Sequence, residues 1–381
     1  MKATSRSRDE IVASFQGNPH LTRLEIQQKT GLSRVTISQH IQSLLSSGVL
    51  IPSNQLPSNG GRKATSLSLN PGGGFIGICY FSATSLTVAI ANLLGEIIDS
   101  KHQEINISDG PNENLPLATQ WLTDLFKKIQ KSKRVGIVVG VPGPVAHETG
   151  RVVSPPIMQG WDSINISGHF EKVFKIPAYL ENDVNLMTLA EHRLVYPEID
   201  NLLLVKLGTG IGSGIIINGQ LHRGAEGSAG DIGHVQLDEL KGSLCRCGHS
   251  GCVESFAGGW ALVEKVKNLG YSVDCLRDIA NIARQGDTKI LRLLTEASGY
   301  VGHAIAMAVN LLNPSKVIVV GRTVDASDRI LAVIKEVVYQ RAAALATKNL
   351  EIVPSKLPVE RGLLGAAQLG LDKFVFANAE I

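Results

Sequence analysis

The sequence predicts an α/β protein in which a small winged helix-turn-helix stands ahead of a larger body of strands and helices, and three observations carry that expectation. Within the first 70 residues, capped helix starts lie on either side of a glycine turn and are followed by a loop rich in glycine and basic residues. Beyond residue 71, apolar β-rich runs broken by glycine turns occur twice, over 74–98 and 202–217. With 381 residues, 44% of them hydrophobic, the chain is long enough for two or three packed units. The start, MKATSRSRDE, is polar, and no later stretch offers about 18 uncharged apolar residues. A secreted or membrane-spanning class is therefore not expected, and a cytoplasmic location is.

Charge divides the chain as the helix signals do. Residues 1–70 carry eight Lys and Arg against three Asp and Glu, whereas 71–381 carry 29 against 31. A basic unit ahead of a nearly neutral body suits a protein of which one part meets a polyanion, although a solvated basic arm has the same charge. Ser7 and Glu10 fit a capping box that opens a first helix through Ile11, Val12 and Phe15, stopped by Gly17-Asn18-Pro19. Thr22 and Glu25 repeat the device for a second helix ending at Thr30. Gly31 makes the turn, and Ser33 caps a third helix ending near Gly48. Ile37, Ile41, Leu44 and Leu45 form one apolar stripe along this third helix.

Val49-Leu50-Ile51, a polar loop containing Gly60-Gly61-Arg62-Lys63, and the alternating Ser66-Leu67-Ser68-Leu69 together read as a wing. A helix-turn-helix sets its second helix in the major groove of double-stranded DNA. Ser33, Arg34, Thr36 and Gln39 are therefore the candidates for base and nearby phosphate contact, and Arg62 and Lys63 for phosphate or minor-groove contact.

Five cysteines are an odd number, and three of them crowd into Cys245-x-Cys247-Gly-x-x-Gly-Cys252. That spacing suggests a metal site in a reducing compartment more than a disulfide framework. Three thiolates on one loop need a further nitrogen or sulfur ligand to complete a tetrahedral ion such as zinc, and His234 and His249 are both near in sequence.

Further motifs are GIVVGVPGPV (136–145), YLENDVNL (179–186), LGTGIGSGIIING (207–219), AGDIGHV (229–235) and CRCGHSGCVES (245–255). With the helix-turn-helix and wing, they resemble the transcriptional regulators of the repressor, open-reading-frame and kinase (ROK) family over nearly the whole chain. The resemblance implies an N-terminal winged helix-turn-helix (1–70) and a two-lobed α/β actin-like, or ribonuclease-H-like, body of the sugar-kinase type. Its first lobe would be residues 71–182, with the C-terminal helix (361–381) returning to it, and its second lobe 183–360. The family pattern gives the fourth zinc position to His234, beside Cys245, Cys247 and Cys252, and four protein ligands make the ion structural. It also implies sugar contacts at Asn182, Asp183, Asp231, His234 and Glu254. A sugar's hydroxyls both donate and accept, and this set of amide, imidazole and carboxylates can answer both. Zinc would then fix Asp231 and Glu254 by tying together the segments of His234 and Cys252. Asp231 departs from the glutamate usual in related kinases, which leaves the sugar's identity and its phosphorylation open.

In the family's kinases the first body strand ends in an Asp-x-Gly-Gly-Thr loop that admits phosphate and serves magnesium. Here that stretch is Cys79-Tyr80-Phe81-Ser82-Ala83, without the aspartate and with the Phe81 ring expected where a phosphate would approach. The resemblance thus points to a sugar-responsive repressor that works without catalysis, as a homodimer or homotetramer on operator DNA. A sugar kinase retaining a DNA-binding domain is the alternative.

Overall fold

The computed structural model describes residues 2–55, 65–153, 156–162 and 164–376. The wing tip, with Arg62 and Lys63, lies outside the described residues.

Helices α1 (Lys2–Ala13), α2 (Arg23–Thr30) and α3 (Arg34–Ser46) precede the antiparallel wing strands β1 (Leu50–Gln55) and β2 (Thr65–Leu69). Thr22 and Glu25 form the expected reciprocal capping box, Gly31 closes α2 at φ 67°, and the Ser33 side chain caps α3. Ser7 does not open a helix. The residues before it continue the α1 spiral without a breaker, so Ser7 lies inside the helix. The stripe on α3 buries Ile37, Ile41 and Leu44 fully and Leu45 in part.

The body holds two five-stranded sheets with the same plan. In the first, β3 (Phe75–Phe81), β4 (Ser85–Asn92) and β5 (Ile97–Glu104) form an antiparallel meander. After α4 (Pro111–Phe126), β6 (Arg134–Val141) pairs parallel with β3. The short hairpin β7 (Val145–Ala146) and β8 (Arg151–Val152) and helix α5 (Ile166–Phe174) lead to β9 (Ala178–Asn182), parallel to β6. Helix α6 (Asp183–Leu194) then carries the chain to the second lobe. There β10 (Leu202–Leu207), β11 (Ile211–Ile217) and β12 (Gln220–His222) repeat the meander. Helices α7 (Glu254–Ala257), α8 (Gly259–Asn268), α9 (Leu276–Arg284) and α10 (Thr288–Leu312) precede β13 (Lys316–Val320). Helices α11 (Asp328–Arg341) and α12 (Ala344–Thr347) precede β14 (Glu351–Pro354), and β13 and β14 add in parallel. The spatial orders 5-4-3-6-9 and 12-11-10-13-14 are therefore equivalent. The duplicated strand–glycine turn–strand pattern in the sequence is the visible part of this repeat.

The last helix, α13 (Arg361–Gly370), returns to the first lobe and continues into a wider turn over Leu371–Phe376. It crosses α6 so closely that a Cβ on Gly365 would lie 1.7 Å from the Leu186 carbonyl oxygen. One apolar core contains Ile11, Ile41 and Leu67 of the winged helix, Ile76 and Ala91 of the first sheet, Leu186 of α6 and Leu363 and Phe374 of the C-terminal segment. The winged helix-turn-helix is thus packed onto lobe one through a shared core. Gln16, just beyond α1, donates to Asp372 at 2.7 Å, and Arg193 at the far end of α6 reaches the other oxygen of the same carboxylate at 3.5 Å.

Candidate functional site

The carboxyl ends of β3, β6 and β9 in lobe one and of β10 and β13 in lobe two open onto one cleft of about 1,980 Å³ between the lobes. This exceeds the usual 300–1,000 Å³ of a small-molecule site. Asn182, Asp183, Asp231, His234 and Glu254, which come from three separate motifs, all line it. Gly143 and Pro144 form part of its rim.

Asn182 ends β9 and caps α6: its Oδ1 accepts from the amides of Val184 at 2.9 Å and Asn185 at 3.2 Å, and its Nδ2 donates to the Gly143 carbonyl at 3.0 Å. Asp183, the first residue of α6, is 2% exposed, and Lys206 Nζ of β10 donates to its Oδ2 at 2.5 Å. Behind them Glu181 is fully buried. Arg223 donates to its Oε2 at 2.8 Å, and Oε1 accepts from the Asn182 amide and Asn185 Nδ2, both at 2.9 Å. Arg223 opens the loop that runs on to Asp231, so this pair anchors that loop to lobe one. A third ion pair between the lobes, Arg277 to Glu104 at 3.9 Å, is exposed.

Glu254 begins α7. Its Oε2 accepts from the Ile211 amide at 2.7 Å and its Oε1 from the Trp260 indole at 3.2 Å, which joins the β10–β11 turn to α8. The Arg246 guanidinium stacks over the Trp260 ring at 4.5 Å. Asp231 is half exposed, 3.8 Å from His234 Nε2. The cleft walls raise its carboxyl above the ordinary range, and His234 acts in the opposite sense.

His234 turns its other nitrogen away from the cleft, placing Nδ1 3.6 Å from Cys245 Sγ. The four donor atoms of His234, Cys245, Cys247 and Cys252 lie within 4.8 Å of one another, and Cys247 and Cys252 sulfurs are 3.7 Å apart. A tetrahedral ion with zinc–sulfur bonds of about 2.3 Å requires sulfur–sulfur edges of roughly 3.8 Å, so this cluster can hold such a metal. His249 stands outside the cluster, beside Cys247 alone at 3.5 Å. Burial pushes the Cys252 thiol up to about 12 and raises that of Cys245. At Cys247 burial is outweighed by hydrogen bonds from the His249 backbone and ring, and the thiol comes down to about 7. The two segments are also joined by backbone: Val253 N donates to Val235 O at 3.0 Å and Leu237 N to Gly251 O at 2.9 Å.

Phe81 is not where the sequence places it. Strand alternation turns its ring into the lobe-one core, edge-on to Trp161 at 5.5 Å, and Tyr80 faces the cleft instead. Lys206 and Trp260 line the cleft and the Arg223–Glu181 pair stands behind it, and none of these four was expected. A lysine alone in the apolar run LLLVKLG was the available signal for the first. At the other end of the molecule, Ser33 and Thr36 hydrogen-bond each other at 2.8 Å and cap α3, whereas Arg34 and Gln39 are exposed. Val35, 68% exposed, and Ser38 join them on the outer face of α3.

Comparison with known proteins follows this division. Residues 8–51 match a winged helix-turn-helix DNA-binding family and residues 81–373 match the ROK family. The chain is 27% identical to a xylose repressor of Caldicellulosiruptor bescii over 93% of this chain and 92% of that protein. It is 26% identical to the DNA-binding transcriptional dual regulator NagC of Escherichia coli, over 92% and 88%. The crystal structure of a ROK family transcriptional regulator, homologous to the E. coli MLC protein, superposes with a TM-score of 0.81 at 22% identity, covering 96% of this chain and 94% of that one. A ROK family glucokinase from Streptomyces griseus, in complex with glucose and AMPPNP, superposes at 0.67 and 25%, over 78% of this chain and 99% of its own. With a match over 81–373 and the two-lobed fold behind a winged helix, the chain belongs to the ROK family.

Proposed function

We propose that this protein is a sugar-responsive DNA-binding repressor, with a sugar held between the lobes as its effector and no catalytic step. The observation that carries the reading is the convergence of Asn182, Asp183, Asp231, His234 and Glu254 on one cleft whose wall shares an apolar core with a winged helix. The names of its repressor relatives support the same reading. Arg34, Gln39, Ser33 and Thr36 of α3, with Arg62 and Lys63 of the wing, are the proposed DNA contacts. Val35 adds an apolar group suited to a thymine methyl. Zinc is the ion that the three-cysteine, one-histidine set suits. As a structural ion it would hold the His234 ring with Nε2 toward the cleft.

A non-catalytic role is supported by the Lys206 ammonium against Asp183, the carboxylate at the position of the kinases' base, and by the missing acidic residue at the end of β3. Sugar-dependent ADP production that vanished in Asp183→Asn would favour a kinase instead. Self-association as a homodimer or homotetramer is supported by exposed Met307 and Leu311 of α10 beside exposed Leu345 of α12. A dimer would set two recognition helices about one DNA turn, or a multiple of it, apart on a palindromic operator.

The test is thermal unfolding against a panel of free and phosphorylated sugars. A ligand at 100 times its Kd stabilises by about 2.7 kcal/mol, so one sugar should raise the melting temperature, and Glu254→Ala should abolish that shift. A panel without any shift would refute the sugar site.

A further inference from the structure

Lys206 is the one charged residue of β10, flanked by Gly212 of β11 and Val320 of β13. A lone ammonium in an apolar strand is costly unless it is paired. Here it is paired with Asp183, the residue that follows the last strand of the first sheet, while β10 opens the second. The stem of the lysine lies along the glycine-rich turn, where a Cβ on Gly208 would stand 3.0 Å from Lys206 Cε. The turn itself is largely occupied. Gly208 N donates to Gly210 O, Ile211 N donates to Glu254, and the Gly208 and Thr209 carbonyls accept from Gly259 and Trp260. Its glycines thus accommodate the lysine and the packing of α8.

An ammonium has three N–H donors, and Asp183 Oδ2 takes one. The other Asp183 oxygen has no hydrogen-bond partner among the described residues, and both side chains line the cleft. The pair therefore presents a free donor and a free acceptor next to each other. Building on the sugar-effector reading, we infer that Lys206 is a specificity-determining residue. With Asp183 it clasps one free hydroxyl of the effector, which donates to the carboxylate and accepts from the ammonium. The class of ligand follows. A neutral sugar with an unmodified hydroxyl at this position fits. A deoxy analogue leaves one N–H of the ammonium and one oxygen of the carboxylate without a partner, and an ester of phosphate at the same oxygen loses the proton that Asp183 requires and sets like charges together.

The test uses full-length protein and calorimetric titration with the sugar that stabilises it, with each of its monodeoxy analogues, and with its phosphate esters. In wild type one monodeoxy analogue should bind at least about 30-fold more weakly than the parent, a factor in the range expected for a hydrogen bond to charged groups. In Lys206→Met the parent should weaken by a similar factor and the penalty for that one analogue should disappear, while the ratios for the other analogues persist. Lys206→Arg should restore part of the discrimination. Because Lys206→Met leaves Asp183 without its partner, the double variant Lys206→Met/Asp183→Asn provides the same comparison with both charges removed. If Lys206→Met and the double variant keep the wild-type ratios for every analogue, the clasp is refuted while the sugar site stands. If all analogues weaken equally, Lys206 is merely structural and the inference is equally refuted. If wild type binds no sugar at all, the effector reading fails first and takes the clasp with it.

Discussion

His234 faces two ways, and its two nitrogens join the cysteine cluster to the cleft between the lobes. Nδ1 stands against Cys245 while Nε2 points to Asp231. A metal that takes Nδ1 fixes the tautomer with the proton on Nε2, the nitrogen that faces the cleft. Cys252, fully buried in the cluster, is the thiol whose loss removes a candidate ligand with least other change at the surface. Cys252→Ser should lower bound zinc from one per chain toward none, measured by plasma emission spectrometry, and weaken sugar binding; full zinc content in the variant would contradict the ligand assignment. The clustering of the three cysteines with His234 was readable because thiolates at short spacing have few other uses, and the convergence of the five cleft residues because each sits in a compact motif. Lys206 and Trp260 were not, because their roles depend on which segment a fold brings opposite them. Phe81 was misread for a related reason. Its side depends on the register of β3, and one residue of alternation moved the ring from the cleft to the core.

At the level of elements, α6 and α13 are the parts that link the cleft to the winged helix. Asp183 begins α6 and Arg361 begins α13, both at the cleft, while Arg193 in the last turn of α6 meets Asp372 just past α13, next to Gln16. Their crossing admits no side chain at Gly365. Gly365→Ala should therefore destabilise the protein by roughly 3 kcal/mol or more, because the obstructing atom is backbone. Unchanged denaturant midpoints would contradict the packing. His192 of α6 is 3% exposed, and its pKa is lowered from 6.5 by burial, helped by the Arg193 charge. Unfolding frees it to bind a proton, so stability should fall as pH drops below about 6.5. His192→Gln should flatten that slope in denaturant titrations at pH 7 and pH 5.5. An unaltered slope would place the sensitivity elsewhere. Elements were legible where local chemistry decides them, as at Thr22 and Ser33. Ser7 carries the same signature inside a longer helix, because a capping box is only a signal where the preceding residues leave the helix.

The whole molecule joins its functional ends through one continuous core. A winged helix tethered by a bare linker would move independently of the lobes. Here Ile11, Leu67, Ile76, Leu186 and Leu363 belong to one packed core, so any movement of α6 or α13 would strain the packing at α1. Ligand-driven closure would thus shift the population between DNA-competent and DNA-incompetent forms. The repeat of two sheets was legible in the doubled strand–turn–strand pattern, but the shared core was not. Its contributors lie as far apart as Ile11 and Phe374, and no local period marks a contact of that range. No helix among the described residues is long and apolar enough to cross a membrane. The most direct measurement is fluorescence anisotropy of a duplex selected from a random pool by this protein, titrated with and without its stabilising sugar. A change in Kd of at least about tenfold, absent in Glu254→Ala, is the predicted result. A duplex affinity that the sugar leaves unchanged, with the sugar demonstrably bound, would contradict the coupling of cleft to DNA.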